Sequence, residues 1–580
     1  MDVLNPIYTE KAACQDCYKC VRQCTVKAIR VENGRAAVVK DLCVLCGHCV
    51  EVCPVGAKKV RNDLGRVRKL IESGKRIIAS LAPSFASEFP GLDLERMAAA
   101  LRRLGFWAVS ETAWGADLVS REVAQQLQLA HPGTLFISSA CPTVVDYITK
   151  YRSSLADRIT SLASPLMAQA RELHKLYGDD CPVVFIGPCI SKKQEADEYS
   201  QDIAVAIDFN DLRMWFDEEK IALSLVKSNP EVPIIPERAG KGSLYPVDGG
   251  MIAAIKSWAV PAQVRFMSFS GIEEIERALD EFEETLLQGQ VQEPLFLELL
   301  ACPGGCVNGP RAKKRTGTIQ KRLSVLEYGQ NRQAGTVSKT VTDTARVLCH
   351  EWKSKPPLQE SCSEQEVAEA LRRTGKFSRD DELNCGGCGY DTCRDFARAM
   401  LVGRAEPEMC VSYMRKLAQK KANGLIRVIP SGVVIVDARL SIVECNQNFA
   451  RILGDEALQL WEAKPGLEGA SLIKLLPFYR YFQDVLDGAD AIDRDIRCNN
   501  RILHATIFGI EKGAYAGGVF QDVTAPWVQK DRVVSQARKV ITRNLAVVQK
   551  IAFLLGENAA ETEATLSSII ESFEQSEKNS

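Results

Sequence analysis

The sequence lacks a long apolar run, since no uninterrupted stretch approaches the roughly 20 residues that a membrane-spanning helix needs. It also lacks a charge imbalance: 73 basic and 74 acidic residues leave a net charge of −1. Nucleic acid and anionic membrane surfaces are therefore not expected as main partners. The N-terminal segment does not show the basic-then-apolar pattern of a signal peptide. These absences predict a cytoplasmic protein that acts away from membranes and nucleic acid.

The chain is rich in cysteine, with 21 among its 580 residues. Single hydrophobic cores stop growing near about 250–300 residues, so several domains are expected. Most of the cysteines occur in short clustered spacings and no export signal is visible. Metal ligation is therefore favoured over disulfide bonding.

Residues 1–62 hold two runs of C-x2-C-x2-C-x3-C, the second followed by Pro54. This is the bacterial two-cluster ferredoxin signature, in which the fourth cysteine of each run ligates the other cluster. We predict a ferredoxin-like module with two 4Fe-4S clusters that passes single electrons. A pair of zinc sites is the alternative, although three cysteines at two-residue gaps suit a cubane better. The expected ligands are Cys14, Cys17, Cys20 and Cys53 for one cluster, and Cys24, Cys43, Cys46 and Cys49 for the other.

Residues 75–325 alternate short apolar runs with amphipathic stretches, a pattern that predicts an α/β core. Parallel strands are predicted at 76–80, 135–138, 183–186 and 296–300, and helices at 94–104, 118–129 and 165–177. Cysteines follow three of these strands, where functional residues of α/β proteins are expected. They are Cys141, Cys189, Cys302 and Cys306. The Pro-Gly-Gly at 303–305 leaves little side chain to obstruct a bulky guest.

Segments 138–142, 186–193 and 296–306 resemble the three signature motifs of the catalytic domain of iron-only (FeFe) hydrogenases, in the same order. The resemblance covers about residues 1–320 and includes 114–118 and the glycine turn at 248–250. It implies that Cys141, Cys189, Cys302 and Cys306 hold a 4Fe-4S cubane. Cys306 would bridge the cubane to a two-iron subcluster carrying CO, cyanide and a dithiolate. Lys192 would donate a hydrogen bond to a cyanide, the alternative being that Lys192 and Lys193 form a solvated charge pair.

The chain departs from that family at the positions that carry protons. Ala140 stands where the resemblance implies a proton-passing cysteine, and Val123 and Gln126 stand where it implies relay glutamates. None of these side chains can hand on a proton near neutral pH. Gly187 and Leu300 also replace two methionines, which predicts a pocket of different shape. The pattern resembles the sensory hydrogenases and predicts slow H2 turnover.

A further cysteine set lies in residues 366–423, after a linker at 326–365. Its spacing of C-x2-C-x4-C-x16-C resembles a small 4Fe-4S domain found in several electron-transfer proteins, with zinc as the alternative. The expected ligands are Cys385, Cys388, Cys393 and Cys410.

Residues 424–525 resemble a PAS domain, with a strand at 424–438, a strand and helix at 442–453, and a closing strand at 518–524. His504 and Cys498 are interpreted as strand residues, with haem binding through His504 as the alternative. Residues 526–580 are predicted to be helical, with a heptad-like apolar stripe that includes Val534, Val548 and Leu555. This segment would form a dimer, receive an output protein, or pack on its own PAS domain.

The predicted fold class is multidomain α/β and α+β: a ferredoxin-like module, a hydrogenase-like core, a small 4Fe-4S domain, a PAS domain and C-terminal helices. Three functions remain open. The first is a sensor of H2 or redox state that reports through clusters to the PAS domain and an unidentified signalling partner. The second is a slow hydrogenase that exchanges electrons with ferredoxin. The third is a non-catalytic protein with only a cubane in the core.

Overall fold

The computed structural model describes residues 5–229, 231–287, 292–313, 316–330, 344–358, 361–498, 501–524 and 532–543. The chain divides into two compact units, Met1–Tyr413 and Met414–Ser580. Within these described ranges, no helix is long and apolar enough to cross a membrane.

The N-terminal module contains two small antiparallel sheets, in which β1 pairs with β4 and β2 with β3. Alternate residues of β2, Ile29 and Val31, are buried, as expected for a strand with one face on a core. The elements are β1 (Ile7–Thr9), α1 (Lys19–Arg22), β2 (Ile29–Glu32), β3 (Arg35–Val38), α2 (His48–Val52) and β4 (Lys58–Val60).

Two parallel sheets form the centre of the first unit. Their strand orders are β6-β5-β8-β9 and β10-β11-β7. The strands β5, β8 and β11 are buried along their whole length, as predicted for parallel strands covered on both faces. The strands are β5 (Ile78–Leu81), β6 (Ala108–Glu111), β7 (Leu135–Ile137), β8 (Val183–Gly187), β9 (Val205–Asp208), β10 (Arg265–Ser270) and β11 (Leu295–Leu300).

Helices surround these sheets. They are α3 (Leu64–Glu72), α4 (Phe85–Glu88), α5 (Leu94–Arg103), α6 (Thr112–Gln128), α7 (Pro142–Tyr151), α8 (Pro165–Tyr177), α9 (Ser191–Glu198), α10 (Phe209–Glu218), α11 (Gly250–Ile255), α12 (Ile272–Leu287), α13 (Thr318–Gln330) and α14 (Thr344–Leu348). The small cysteine-containing domain adds α15 (Glu364–Arg373) and α16 (Cys393–Leu401).

The structure moves several of the predicted boundaries. The first core strand begins at Ile78 rather than at residue 76. Helix α6 begins at Thr112, six residues before the predicted start, because Gly115 does not break it. A Cβ atom at Gly115 would lie 2.0 Å from the carbonyl oxygen of Pro165, so this glycine permits close packing of α6 on α8. Helix α13 continues to Gln330, beyond the predicted end of the core at residue 325.

The second unit is built on a five-stranded antiparallel sheet with the order β13-β12-β16-β15-β14. Residues 424–428 end a helix instead of starting the predicted strand, which begins at Gly432. The predicted strand-to-helix segment is present, and Asn446 caps its helix. The elements are α17 (Val411–Val428), β12 (Gly432–Asp437), β13 (Ile442–Cys445), α18 (Gln447–Leu453), α19 (Asp455–Ala463), α20 (Leu472–Leu475), α21 (Arg480–Leu486), β14 (Ile492–Cys498), β15 (Arg501–Glu511) and β16 (Tyr515–Asp522).

Residues 532–543 are helical, as predicted for the C-terminal segment. Val534 is half-buried there and Ala537 is exposed. The rest of the predicted stripe, including Val548 and Leu555, lies outside the described residues.

Candidate metal centre

Four cysteines at the carboxyl ends of strands from both central sheets define the core site. Cys141 follows β7 and precedes α7, and Cys302 follows β11 in the same sheet. Cys189 follows β8 in the other sheet, and Cys306 opens a short 3-10 turn. The site therefore exists only when the two sheets face each other correctly.

The loop between Cys302 and Cys306 requires its glycines. Gly304 and Gly305 have φ angles of 75° and 100°, in the left-handed region that other residues avoid. A Cβ atom at Gly305 would lie 2.4 Å from the carbonyl oxygen of Pro246. The sequence therefore uses glycine here because no other residue fits.

The thiols of this site are held in a low-dielectric environment. Burial raises the pKa of Cys189 to about 11, and the neighbouring Cys141 adds to the rise. Burial also raises the pKa values of Cys302 and Cys306 well above their usual range, and the other core thiols raise them further. Thiolates so placed need a positive partner, and a metal that displaces their protons supplies it. The donor set therefore fits an iron–sulfur cluster.

A chamber of about 110 Å³ lies against three of these cysteines, Cys141, Cys189 and Cys306. Its wall is mainly apolar and includes Ala113, Ala140 and Leu300. Among the described residues, the titratable side chains on this wall other than cysteine are Lys192 and Tyr245. The Tyr245 hydroxyl is engaged by Ser120 at 2.9 Å. A small guest beside Cys306 would thus meet one cation and little water.

Lys192 is the buried cation of this chamber. Its Nζ donates to Glu195 Oε2 at 2.7 Å and to Ser164 Oγ at 2.9 Å. The ammonium has three protons, so one donor position remains for a guest. Lys193 faces elsewhere and forms buried ion pairs with Asp63 and Asp211 at 3.3 and 2.9 Å. The two adjacent lysines are therefore not a solvated charge pair, and only Lys192 lines the chamber.

The positions of the expected proton relay hold no titratable group. Ala140 is on the chamber wall beside Cys141. Val123 is fully buried in the hydrophobic core and Gln126 is half-buried on the same helix. A carboxyl group does lie near Cys306, since the charge of Glu298 on β11 adds to the raised pKa of that thiol. Burial raises the pKa of Glu298 itself to about 7. Glu298 accepts hydrogen bonds from the backbone N–H groups of Met251 and Ile252.

Among the N-terminal cysteines, the electrostatic neighbours of Cys20 and Cys49 come from both cysteine runs. The pKa of Cys20 is raised by burial and by the nearby charges of Cys14, Cys17 and Cys53. The pKa of Cys49 is raised by burial and by Cys46, Cys43 and Cys24. Buried Lys58 offsets part of the rise for both Cys20 and Cys49. Backbone N–H groups also point at the sulfurs, with Ala28 N to Cys24 Sγ at 3.3 Å and Ala57 N to Cys53 Sγ at 3.2 Å.

The second of these sets lies next to the core site. Charge on Cys46 contributes to the raised pKa of Cys302. Val44 and Ala301 also belong to one buried hydrophobic cluster, and Cys46 packs against that cluster. The cluster expected on Cys24, Cys43, Cys46 and Cys49 is therefore the one that faces the core.

The third cysteine region gathers Cys385, Cys388, Cys393 and Cys410 around one small cavity. Cys385 is exposed, whereas Cys393 and Cys410 are buried. Although burial raises it, the pKa of Cys410 is held below its usual value by hydrogen bonds from Ser412, the Tyr413 backbone and Lys376. The Lys376 Nζ lies 3.2 Å from Cys410 Sγ and is itself buried.

Within the described ranges, no three Cys, His, Asp or Glu side chains converge tightly enough to hold a single metal ion. A cubane is a multi-atom guest, so its ligands do not have to meet at one point. In the second unit, both ring nitrogens of His504 face carboxylates, Asp493 at 2.8 Å and Asp495 at 3.2 Å. Cys498 is a buried strand residue, as interpreted from the sequence.

Sequence reasoning missed Glu195, Glu298 and Lys376. Glu195 lies three residues after Lys192 on α9, a spacing that places both on one helix face and was available from the sequence. Lys376 is far from Cys410 along the chain, so only the fold brings the two together.

Comparison with known families matches three regions of the chain. Residues 75–310 match the family model for the C-terminal domain of the iron only hydrogenase large subunit. Residues 36–59 match a 4Fe-4S binding domain, and residues 381–412 match a family described by an Fe-S cluster.

Individual relatives are also hydrogenases. Iron hydrogenase 1 of Clostridium pasteurianum is 25% identical over 329 residues, which is 47% of this chain and 57% of that protein. The periplasmic [Fe] hydrogenase large subunit of Nitratidesulfovibrio vulgaris is 25% identical over 375 residues, 55% of this chain and 89% of that protein. An [FeFe]-hydrogenase structure from Chlamydomonas reinhardtii is 18% identical with a TM-score of 0.42, covering 51% of this chain and 100% of that chain.

The molecule is an iron–sulfur protein with a mixed α/β, hydrogenase-like core. The family model and the curated relatives show that residues 75–310 are similar to the iron-only hydrogenase family. The chain spans little more than half the length of the clostridial relative.

Proposed function

We propose that this protein is a sensor of H2 or redox state, in which an H-cluster core reports through iron–sulfur clusters to a PAS domain. The cubane would take Cys141, Cys189, Cys302 and Cys306, and Cys306 would join it to a diiron subcluster with CO, cyanide and dithiolate ligands. Bound there, such a group supplies reversible H2 cleavage to two protons and two electrons.

The observation that carries the proposal is the contrast between two chamber residues. Lys192 keeps a free donor position toward the chamber, where a guest with anionic ligands would be stabilised. Ala140, on the same wall, offers no proton acceptor. Residues that would bind the cofactor are thus retained, whereas the group that would pass protons is absent. This combination favours occupancy by H2 with slow turnover.

The second unit supports the proposed PAS domain through its strand pattern. Two N-terminal strands lead into a helix capped by Asn446, and the unit's sheet closes with the β15–β16 hairpin, which ends at Asp522 and is followed by Val523 and Thr524. We infer that the PAS domain and the C-terminal helices pass the signal to a partner protein or form a homodimer.

Infrared spectroscopy of protein loaded by the hydrogenase maturation enzymes tests the core assignment. We expect CO and cyanide stretching bands, and H2-driven reduction of the clusters. Steady-state H2 turnover should be at least about a hundredfold below that of a hydrogenase with an intact relay, since positioned acid–base groups contribute about 10²–10⁴-fold. Absence of the bands would leave a cubane-only protein, and full turnover would identify an ordinary hydrogenase.

A slow ferredoxin-linked hydrogenase is the second candidate. It is favoured by the position of the Cys24-containing cluster set next to Cys302, which provides an electron route into the core. Deleting residues 424–580 separates the two candidates in cells. Loss of an H2-dependent response with unchanged infrared bands supports the sensor, and an unchanged response supports the hydrogenase.

A further inference from the structure

The small cysteine-containing domain, residues 361–413, packs directly on the N-terminal ferredoxin-like module. The backbone N–H of Val31 donates to the carbonyl of Arg404 at 2.9 Å. The N–H groups of Asn33 and Gly34 donate to the carboxylate of Glu406 at 2.5 and 3.1 Å. These contacts join the β2–β3 turn to the segment before Cys410, so the two modules have a fixed orientation.

The small domain and the ferredoxin-like module approach each other closely near their cysteine ligands. Gly389, next to Cys388, has a φ angle of +94°, and a Cβ atom there would lie 3.0 Å from the backbone N of Arg22 and from the Val21 side chain. Val21 and Arg22 belong to α1, which contains Cys20 and ends shortly before Cys24. The loop that carries Cys388 therefore lies against the segment that runs from Cys20 to Cys24.

Tyr390 occupies the gap between these ligands. It is 5% exposed and packs with Val21, Phe396 and Met409 in one hydrophobic cluster. Cysteines of both ferredoxin-type sets lie in or against this cluster, together with two of the small domain: Cys14, Cys20, Cys24, Cys49, Cys388 and Cys410. Asp391, the residue after Tyr390, lies 4.0 Å from the ammonium of Lys27, three residues after Cys24. The buried hydroxyl of Tyr390 has no hydrogen-bond partner. An unpaired buried hydroxyl is unfavourable, so we attribute the presence of Tyr390 at this position to its aromatic ring and not to its hydroxyl group.

We propose that the cluster on Cys385, Cys388, Cys393 and Cys410 exchanges electrons with the core through the cluster on Cys24, Cys43, Cys46 and Cys49, with Tyr390 filling the gap between the two. One electron leaves the reduced cluster as the other cluster gains it, and no proton is transferred. The order is then small domain, Cys24 cluster, core, because Cys46 packs against the buried cluster that contains Ala301, the residue before Cys302. This inference depends on the proposed clusters but not on H2 sensing or on the diiron subcluster.

The order gives the small domain a definite role in the proposed function. A signal generated in the core would reach the chain segment that precedes the second unit by two one-electron steps. An external one-electron donor or acceptor could reach the small-domain cluster at Cys385, which is exposed, as is Cys17 of the ferredoxin-like module.

Electron paramagnetic resonance of the full-length protein with reconstituted 4Fe-4S clusters tests the order. In the dithionite-reduced protein, magnetic coupling should make the small-domain signal relax faster than an isolated cluster. Cys46→Ser, which removes a ligand of the Cys24 cluster, should raise the spin-lattice relaxation time of that signal severalfold. Cys17→Ser, which alters the other ferredoxin-type cluster, should leave it nearly unchanged. Equal effects of the two variants, or a larger effect of Cys17→Ser, would overturn the proposed order.

Two substitutions at Tyr390 test the gap and do not remove any ligand. Tyr390→Phe keeps the ring and removes the unpaired hydroxyl, so coupling should remain as in the unaltered protein. Tyr390→Ala empties the gap, and electron transfer from the photoreduced small-domain cluster should slow by about tenfold or more. If Tyr390→Ala perturbs assembly, the Cys46→Ser and Cys17→Ser pair still decides the order. An unchanged rate in a fully loaded Tyr390→Ala protein would exclude the role of the ring.

Discussion

The core centre and the small-domain centre hold four cysteines each, yet they are built in opposite ways. The core ligands come from three loops of two sheets, and burial raises the pKa values of their thiols. The small-domain ligands come from one short segment, and Lys376 helps to hold the pKa of Cys410 below its usual value. Each site has a buried lysine near its thiols, Lys192 in the core and Lys376 in the small domain, so the main difference is how the ligands are brought together.

The two centres also differ in what can reach them. The core has one cation, Lys192, facing a chamber whose other walls are mainly apolar, so its chemistry depends on the guest it holds. The small domain has an exposed cysteine, Cys385, and its cluster would therefore be open to other electron carriers. The first suits reaction with a small gas and the second suits electron exchange.

The largest expected effect separates the two centres by removing one ligand from each. Cys306→Ser should abolish the CO and cyanide infrared bands, because this residue is proposed to join the cubane to the diiron subcluster. Cys385→Ser should leave those bands in place and lower iron content by one cluster. Infrared spectra and iron analysis of the two matured variants test this. Persistence of the bands in Cys306→Ser would show that another residue anchors the subcluster.

Replacing one glycine in each centre by alanine compares the two centres by their effect on the free energy of unfolding. Gly305→Ala should lower the free energy of unfolding of the first unit by about 2–5 kcal/mol, combining about 1–2 kcal/mol for left-handed backbone with about 1–3 kcal/mol for overpacking against Pro246. Gly386, beside Cys385, has a φ angle of +67° but open space around its Cβ position. Gly386→Ala should therefore cost only about 1–2 kcal/mol. Urea denaturation of the cluster-free variants measures both, and equal losses would contradict the crowded geometry at Gly305.

Restoring a thiol to the chamber tests whether proton transfer limits the core. Ala140→Cys should raise H2 turnover about tenfold, a change of about 1.4 kcal/mol in the activation free energy. The gain should stay partial because Val123 and Gln126 still interrupt the relay. Ala113→Cys places a thiol elsewhere on the same wall and should have little effect. Equal turnover in the two variants would remove proton transfer as the limiting step.

The sequence predicted those elements whose signals are local. Helix α8 was predicted with both of its ends, because Ser164 accepts from the Met167 N–H and Gly178 follows the last turn. The beginning of α6 was missed; its first turns contain Gly115, a poor helix former that the close approach of Pro165 requires. The cysteine spacings pointed to the ferredoxin-type sets for the same local reason.

The rest of the site could not be read from the sequence because it is created by tertiary contacts. The resemblance singled out Lys192, but Lys192 and Lys193 are adjacent and chemically alike, and the physical difference between them lies in their partners, Glu195 and Asp211. The packing of Tyr390 between Cys24 and Cys388 joins segments that are far apart along the chain. No spacing rule connects such residues.

The smallest expected effect concerns the countercharge of the small domain. Lys376→Met removes a buried ammonium 3.2 Å from Cys410 Sγ but retains much of the side-chain volume. A reduced cluster carries one more negative charge than an oxidised one, so the ammonium stabilises the reduced form more strongly. Its removal should lower the reduction potential of this cluster by about 60 mV, which corresponds to about 1.4 kcal/mol for one electron.

The exposed Arg372 on α15 provides the matched control, because Arg372→Met removes the same charge from a solvated position. Water and salt screen exposed charges, so its effect on the potential should be much smaller. A redox titration followed by electron paramagnetic resonance measures both variants. The potential of the core centre should not change in either, since Lys376 belongs to the small-domain site. A shift of the same size in Arg372→Met would mean that net charge, rather than the contact between Lys376 and Cys410, sets the potential.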